Sequence, residues 1–292
     1  MMRKKPMLAY PVSDKPIDYT KPTFIQPKLD GVRCLIQREP AFPGQPELAS
    51  FNVKAYSRTG KEWKNIDHIL QSLKPFFFHN PDVILDGELY NHDFRDDFES
   101  IISMVRKTKP TDEDRSKSRK NVQFHCYDIV DETIRFEARN EFILQELYEN
   151  YDYVHILPCT RVHSHENAIY QHKINLKAGY EGSILRSNNV YQCKRSHALR
   201  KFKDFSDAEA TIIGYLDGKG KRTGTLGKFI MMDDNGVEFG CPPGKGYTYK
   251  QLGEMLNNIG DYIGQRATFT FFERTKAGSY RHPLFKCIRD YE

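Results

Sequence analysis

The sequence predicts an α+β chain of two domains, the second of them a small β-barrel. Three observations carry this reading. Strand-like alternating runs mix with helical periodicity up to about residue 205. A composition shift at Asp204-Phe205-Ser206-Asp207 opens a stretch dominated by short strands and glycine turns. The chain's 292 residues suit two domains of ordinary size. The expected domains are therefore 1–205 and 206–292.

The elements follow in order. Thr23-Phe24-Ile25-Gln26-Pro27 approaches Lys28 as a strand, and Cys34-Leu35-Ile36 opens a second apolar run. Val83-Ile84-Leu85 leads into Asp86-Gly87-Glu88. Residues 122–130 alternate and then turn apolar, as a half-buried strand does. Residues 136–148 carry Phe142, Ile143, Leu144 and Leu147 at roughly helical spacing, and 168–178 form a second helix candidate. Residues 107–120 are almost wholly polar and read as an exposed, mobile loop. In the second domain, strands are expected over 208–215, 226–232, 236–240, 265–273 and 283–288, with a helix over 249–259. Five short strands with one helix before the last pair match a small barrel of the oligonucleotide-binding type.

Hydrophobic content of 39% with 13% aromatics supports packed cores and excludes a disordered chain. A net charge of +5 is compatible with a polyanionic partner without requiring one. The six cysteines are scattered with no C-x-x-C pair, so no zinc site is expected; several sit in apolar strand-like runs, where reduced, buried thiols are the better reading. No apolar signal core follows Met1-Met2-Arg3-Lys4-Lys5-Pro6, and no run of about 18 apolar residues occurs. A soluble protein of a reducing compartment, without a membrane partner, is the expectation.

Chemistry concentrates at strand ends. In Lys28-Leu29-Asp30-Gly31-Val32-Arg33, extended backbone would project Lys28 and Asp30 to one side and Leu29 into a core. Ser57-Arg58-Thr59-Gly60-Lys61 is a turn with two cations. Asp86-Gly87-Glu88 sets two carboxylates on one strand face. Glu181 precedes a strand that ends at Arg186, and Lys201 and Lys203 share a face opposite Phe202. Each has a plain reading as solvated surface, but together and in this order they describe cations and carboxylates converging on one lysine.

No G-x-x-x-x-G-K-[ST] occurs, so a P-loop grip on phosphate is absent. Phosphates can instead be held by a ring of lysines and arginines with a divalent metal on carboxylates. The central lysine could itself be the nucleophile. Its free pKa is about 10.4, so it is inert at neutral pH until neighbouring cations or a metal favour the neutral amine. Asp30 would oppose that shift, so its benefit would lie in orientation or later proton handling.

The ordered set K-x-D-G-x-R, S-R-x-G, D-G-E, aromatic-Asp, E-G-x-x-x-R, K-x-K resembles the covalent nucleotidyltransferase superfamily. Within it, the chain is most similar to the small ATP-dependent DNA ligases of viruses and bacteria, from about residue 20 to its end. The resemblance implies a nucleotidyltransferase domain of antiparallel sheets with flanking helices, followed by an OB-fold β-barrel. It implies that Lys28 takes AMP in a phosphoramide bond, with Asp30 and Arg33 beside it as catalytic residues. Arg33 and Arg58 match arginines near the ribose and the nick phosphate, Glu88 the glutamate on the ribose hydroxyl, and Tyr127 the aromatic that stacks on adenine. Glu181 matches the metal-associated glutamate, and Lys201 and Lys203 the lysines on the phosphates. Gln26 joins these as a nucleotide-binding residue, and Glu88 and Glu181 as the metal carboxylates.

ATP and Mg²⁺ (or Mn²⁺) are the implied cofactors, and nicked double-stranded DNA the implied partner of a monomer. Ser57, Arg58, Lys221 and Arg222 are the expected DNA contacts; phosphate-led binding would weaken with salt and show little sequence preference. The cytoplasm of a bacterium or of a virus-infected cell is the expected setting. The sequence leaves no room for the large N-terminal DNA-binding domain of bigger ligases. The family's barrel usually ends R-x-D-K; here Arg289 and Asp290 align but Tyr291 replaces the lysine, so self-adenylation would lean on Arg289 alone or on Lys286. An RNA ligase, a capping-type guanylyltransferase and a non-catalytic nucleic-acid-binding protein are the alternatives. The S-R-x-G turn, Tyr127 and the intact motif set favour the DNA ligase.

Overall fold

The computed structural model describes all residues except 1–3, 43–49, 96, 148–150, 204–205, 245, 272–273, 276–277 and 290–292. It divides into two compact units, Met1–Phe202 and Lys203–Glu292. In the first unit the strands are β1 (Leu8–Pro11), β2 (Thr23–Lys28), β3 (Val32–Pro40), β4 (Phe51–Tyr56), β5 (Ile84–Tyr90), β6 (Gln123–Ile129), β7 (Val154–Ile156), β8 (Thr160–Val162), β9 (Gly182–Ser187) and β10 (Arg195–Phe202). Its helices are α1 (Asp67–Ser72), α2 (Lys74–His79), α3 (Phe98–Val105), α4 (Asp112–Asn121), α5 (Phe136–Glu146) and α6 (His165–Lys177).

These strands make two five-stranded sheets, ordered β1-β10-β9-β2-β8 and β4-β3-β5-β6-β7. Both are antiparallel except at one edge pair each, β1 with β10 and β6 with β7. The larger core lies on the second sheet, where Cys34, Ile36, Leu85, Leu89, Phe124 and Cys126 pack against Ile69, Phe76, Phe77, Ile101 and Val105 of the helices. On the first sheet, Ile25, Val162 and Leu185 pack with Ala168 of α6, and Phe202 adds to this cluster as its alternation predicts.

The 107–120 segment is corrected. Residues Asp112–Asn121 form α4 rather than a loop. Thr111 caps it: its hydroxyl accepts from the Asp114 N–H, and the Asp114 carboxylate accepts from the Thr111 N–H. Acids fill the first turn and Arg119 and Lys120 the last, which suits the helix dipole.

The second unit contains β11 (Ser206–Asp217), β12 (Leu226–Met232), β13 (Glu238–Cys241), α7 (Tyr249–Asn257), β14 (Arg266–Phe271) and β15 (Leu284–Ile288). Its sheet runs β13-β12-β11-β14-β15, wholly antiparallel. Just beyond β13 the chain pairs back onto β15: Phe285 N–H donates to the Pro242 carbonyl at 2.8 Å and Gly244 N–H to the Phe285 carbonyl at 3.0 Å. The sheet so closes into the expected barrel around Ile212, Phe229, Met231, Phe269 and Phe285. α7 is capped by Thr248 and Gln251 in the same reciprocal manner as α4.

Candidate active site

β2 is buried along its length up to its last residue, Lys28. It lies beside β9 in a register that sets Lys28 against Gly182. Glu181, the residue before that strand, therefore reaches the same end. Its backbone N–H donates to the Lys28 carbonyl at 3.1 Å, and its carboxylate forms an ion pair with the Lys28 ammonium. Leu29 faces inward, 2% exposed, against Tyr90, Tyr127 and Leu157.

The second sheet contributes the opposite side. Arg33 on β3 stands across from Glu88 on β5, with Asp86 two residues further on the same face. The Arg33 guanidinium grips Asp86 in bidentate fashion, Nε to Oδ1 at 2.6 Å and Nη2 to Oδ2 at 2.5 Å. Burial pushes the Glu88 carboxyl up to about 7; Asp30 and Asp86 add to the shift, and Lys28 and Arg33 oppose it. Two glycines make this packing possible. A Cβ on Gly31 would meet the Leu89 carbonyl at 2.6 Å, and one on Gly87 the His125 carbonyl at 2.4 Å.

These groups surround a pocket of about 220 Å³, lined by Gln26, Lys28, Arg33, Arg58, Glu88, Tyr127 and Lys201 together with Leu8, Ala9, Ile184 and Leu199. The Tyr127 ring is 7% exposed, with the guanidinium carbons of Arg33 and Arg186 at 5.1 and 5.4 Å from its centroid. Arg58 stands exposed on the turn that begins at Ser57, whose N–H donates to the Lys61 carbonyl at 2.7 Å. A larger cleft of about 680 Å³, beside Asp67, His68, Arg115, Arg119 and Tyr153, holds none of the motif residues.

Seven of the expected residues thus share one pocket, with Glu181 on the amine of Lys28. Asp30 is near enough to act on Glu88; Ser57 serves the turn and does not line the pocket. Lys203, Lys221, Arg222 and Arg289 belong to the second unit. There Lys221 sits in the short turn Gly220–Arg222, and Arg222 donates to the Leu226 carbonyl at 3.1 Å. Arg289 pairs with Glu209, and Lys286 with Asp207 at 2.7 Å. Asp290 and Tyr291 lie outside the described residues.

Sequence reasoning named the motifs that hold Asp128 and Arg186 but missed the buried pairing they make at the pocket, where Arg186 is itself a lining residue. Asp128 is fully buried between two arginines, Arg139 (Nε to Oδ1, 2.7 Å) and Arg186 (Nη1 to Oδ2, 2.6 Å). Arg186 also donates from Nε to the Gln26 side-chain oxygen at 2.6 Å, and the Gln26 amide nitrogen reaches the Tyr127 carbonyl at 3.4 Å. The orientation of Gln26 is therefore set by Arg186, its neighbour in the pocket lining.

Residues 6–203 match the family model "ATP dependent DNA ligase domain", and residues 217–289 match "DNA ligase OB-like domain". The chain belongs to the ATP-dependent DNA ligase family. The DNA ligase of African swine fever virus (isolate Warthog/Namibia/Wart80/1980) is 27% identical over 214 residues, covering 69% of this chain and 46% of the viral protein. The chain spans about half the length of the curated relatives it matches. A solved structure from the minimal-scaffold Lig E DNA ligases superposes with a TM-score of 0.74 at 23% identity, covering 99% of this chain and 100% of that one. The ATP complex of the bacteriophage T7 ATP-dependent DNA ligase gives 0.54 at 17% identity, covering 98% of each. These two likenesses are of fold, a nucleotidyltransferase unit followed by an OB-fold, as the ligase family implies.

Among the described residues, no group of three or more His, Cys, Asp or Glu side chains is placed to hold a metal by itself. The pocket presents the Glu88 carboxylate beside the cations Lys28 and Lys201, and Glu181 stands on the Lys28 amine. That donor set fits a hard divalent ion that completes its shell with phosphate oxygens and water.

Proposed function

We propose that the protein is an ATP-dependent DNA ligase that seals nicks in duplex DNA through a lysyl-AMP intermediate. The observation that carries this is Lys28: it ends a buried strand, opens into a pocket with an aromatic and cations, and has Glu181 at its amine. The adenylation domain would run to about residue 205 and the OB domain from 206.

In the first step Lys28 must lose a proton, and Glu181 is the carboxylate alongside it. The freed Nζ attacks the α-phosphorus of ATP; a P–N bond forms, and the P–O bond to pyrophosphate breaks. Tyr127 and Gln26 hold the base, Glu88 the ribose, and Arg58, Lys201 and Lys203 the phosphates. In the second step a 5′-phosphate oxygen at the nick displaces Lys28 from AMP, and the amine recovers a proton. In the third the 3′-hydroxyl attacks that 5′-phosphorus, the phosphodiester forms and AMP leaves. Positioning and charge stabilisation of in-line displacement would supply most of the rate. Mg²⁺ or Mn²⁺ on Glu88 and Glu181 would offset phosphate charge. Arg33, bound to Asp86, acts by shaping the pocket wall and the field at Glu88.

DNA would be held by the exposed cations Arg58 and Lys221 and by the half-buried Arg222 of a monomer, with affinity falling steeply as salt rises. The setting remains the cytoplasm of a bacterium or an infected cell. The test incubates the protein with α-labelled ATP, Mg²⁺ and a singly nicked duplex. Label on the protein and sealed DNA, both lost in Lys28→Ala, are expected. Labelled protein without sealing would move the substrate to RNA ends. Label from GTP alone would overturn the ligase in favour of a capping-type enzyme.

A further inference from the structure

Met7 stands at the entrance to β1, 3% exposed, and both of its backbone polar groups are taken by side chains. Its N–H donates to the Tyr191 hydroxyl at 2.7 Å. The Tyr191 O–H donates to Asp86 Oδ2 at 2.7 Å. Arg33 Nη2 donates to the same oxygen at 2.5 Å and also to the Met7 carbonyl at 3.2 Å. The four groups therefore form a closed hydrogen-bonded ring. The two residues after Met7, Leu8 and Ala9, line the nucleotide pocket.

Tyr191 is 1% exposed and packs with Met7, Ala198 and Leu199. A phenylalanine would fill the same space, so packing alone does not require the hydroxyl. Only a group that accepts and donates can stand between an N–H and a carboxylate. Without it, a buried N–H loses its acceptor and Asp86 loses a donor.

We propose that Tyr191 is a positioning residue for ATP, its hydroxyl closing the ring that holds the Met7–Ala9 wall of the pocket in register with Arg33. This rests on the ligase reading of the same pocket. Tyr191 touches no reacting atom; it acts through the wall. Its contribution therefore falls on nucleotide affinity and not on the later sealing chemistry.

The test compares wild type, Tyr191→Phe, Met7→Pro (which deletes the donor at the other end of the same bond and, with it, the buried Met7 side chain) and the double variant. Lysyl-AMP formation gives KM and kcat for ATP. Sealing of a nick that already carries the 5′-adenylate bypasses ATP. Deuterium uptake over residues 7–11 reports the wall directly. Tyr191→Phe is expected to raise the KM for ATP about tenfold with kcat and pre-adenylated sealing within about twofold, as loss of one buried hydrogen bond to a binding wall would. Uptake over 7–11 should quicken, and adding Tyr191→Phe to Met7→Pro should change nothing further.

An unchanged KM, additive effects, or an equal loss of pre-adenylated sealing would each overturn the proposal. If Tyr191→Phe does not fold, Met7→Pro decides alone, an unchanged KM again overturning it. Wild type that forms no lysyl-AMP would sink the ligase reading instead, and deuterium uptake would still decide the ring.

Discussion

Lys28 and Glu181 meet twice, once through the backbone, where Glu181 N–H donates to the Lys28 carbonyl, and once through their charged ends. The register that sets Lys28 against Gly182 brings Glu181 to the end of β2, where the second contact forms. A carboxylate at this distance favours the ammonium form, which cannot attack phosphorus. In the proposed first step, attack by Lys28 would require Glu181 to give up this partnership. Glu181→Gln should make Lys28 more reactive toward an amine-acylating reagent in the absence of nucleotide, read by peptide mass spectrometry. The same variant should lose self-adenylation by about 100-fold, the size typical of a removed proton-transfer partner.

Glu88 stores a stability cost. Its folded pKa, about 7, lies above its ordinary 4.5. The folded state then binds more protons than the unfolded one between these values, so stability falls as pH rises through that window. Glu88→Gln should leave the melting temperature unchanged near pH 4 and raise it at pH 8, by about 1–3 kcal/mol of stability. Adenylation should fall in the same protein. A variant equally stable at both pH values would refute this account of Glu88.

His125 titrates the other way. Burial, with His155 stacked at 4.9 Å and His92 nearby, lowers its pKa from 6.5 to about 3. The unfolded chain takes up the proton first, so stability is full above 6.5 and drains as pH falls toward 3. His125→Phe should flatten the acid limb of a denaturation series by up to about 1.4 kcal/mol per pH unit. Parallel acid limbs in the two proteins would count against it.

The buried trio Arg139–Asp128–Arg186 should behave as a unit. Arg139→Met leaves Asp128 with one cation and should cost about 3–5 kcal/mol in urea unfolding, whereas Arg139→Met combined with Asp128→Asn should cost less than the single change. Gly87→Ala, which drives a Cβ into the His125 carbonyl, should cost about 1–3 kcal/mol by the same measurement.

Much of the site was legible because its chemistry is local. Lys28, Glu88, Tyr127 and Lys201 each sit in a short alternating run whose facing follows from strand period alone. The barrel strands were legible for the same reason, and β12 falls on residues 226–232 as expected. The segment 107–120 misled because α4 has hardly any apolar face, Ser118 being its buried residue. Its cap, Thr111 with Asp114, was the available signal. The helices α1 and α2 went unread because six residues each give too little periodicity. The edge strands β7 and β8, of three residues each, are shorter still. The ring of Met7, Tyr191, Asp86 and Arg33, and the trio at Asp128, join residues up to 184 positions apart. Arginines and aspartates read singly look like surface, and only pairing across sheets makes them interior.

The parallel pairing of β1 with β10 has a consequence for synthesis. Leu8 pairs with Arg195 and Pro11 with Lys201, so the edge strand β1 has no sheet neighbour until β10 exists. A ribosome delivers these partners nearly a whole domain apart, so the pocket wall beside Lys28 must wait as an unpaired strand while most of the unit emerges. The nascent chain would gain the proposed nucleotide site only when Phe202 is free of the exit tunnel, which makes nucleotide capture a report on completed translation of the unit.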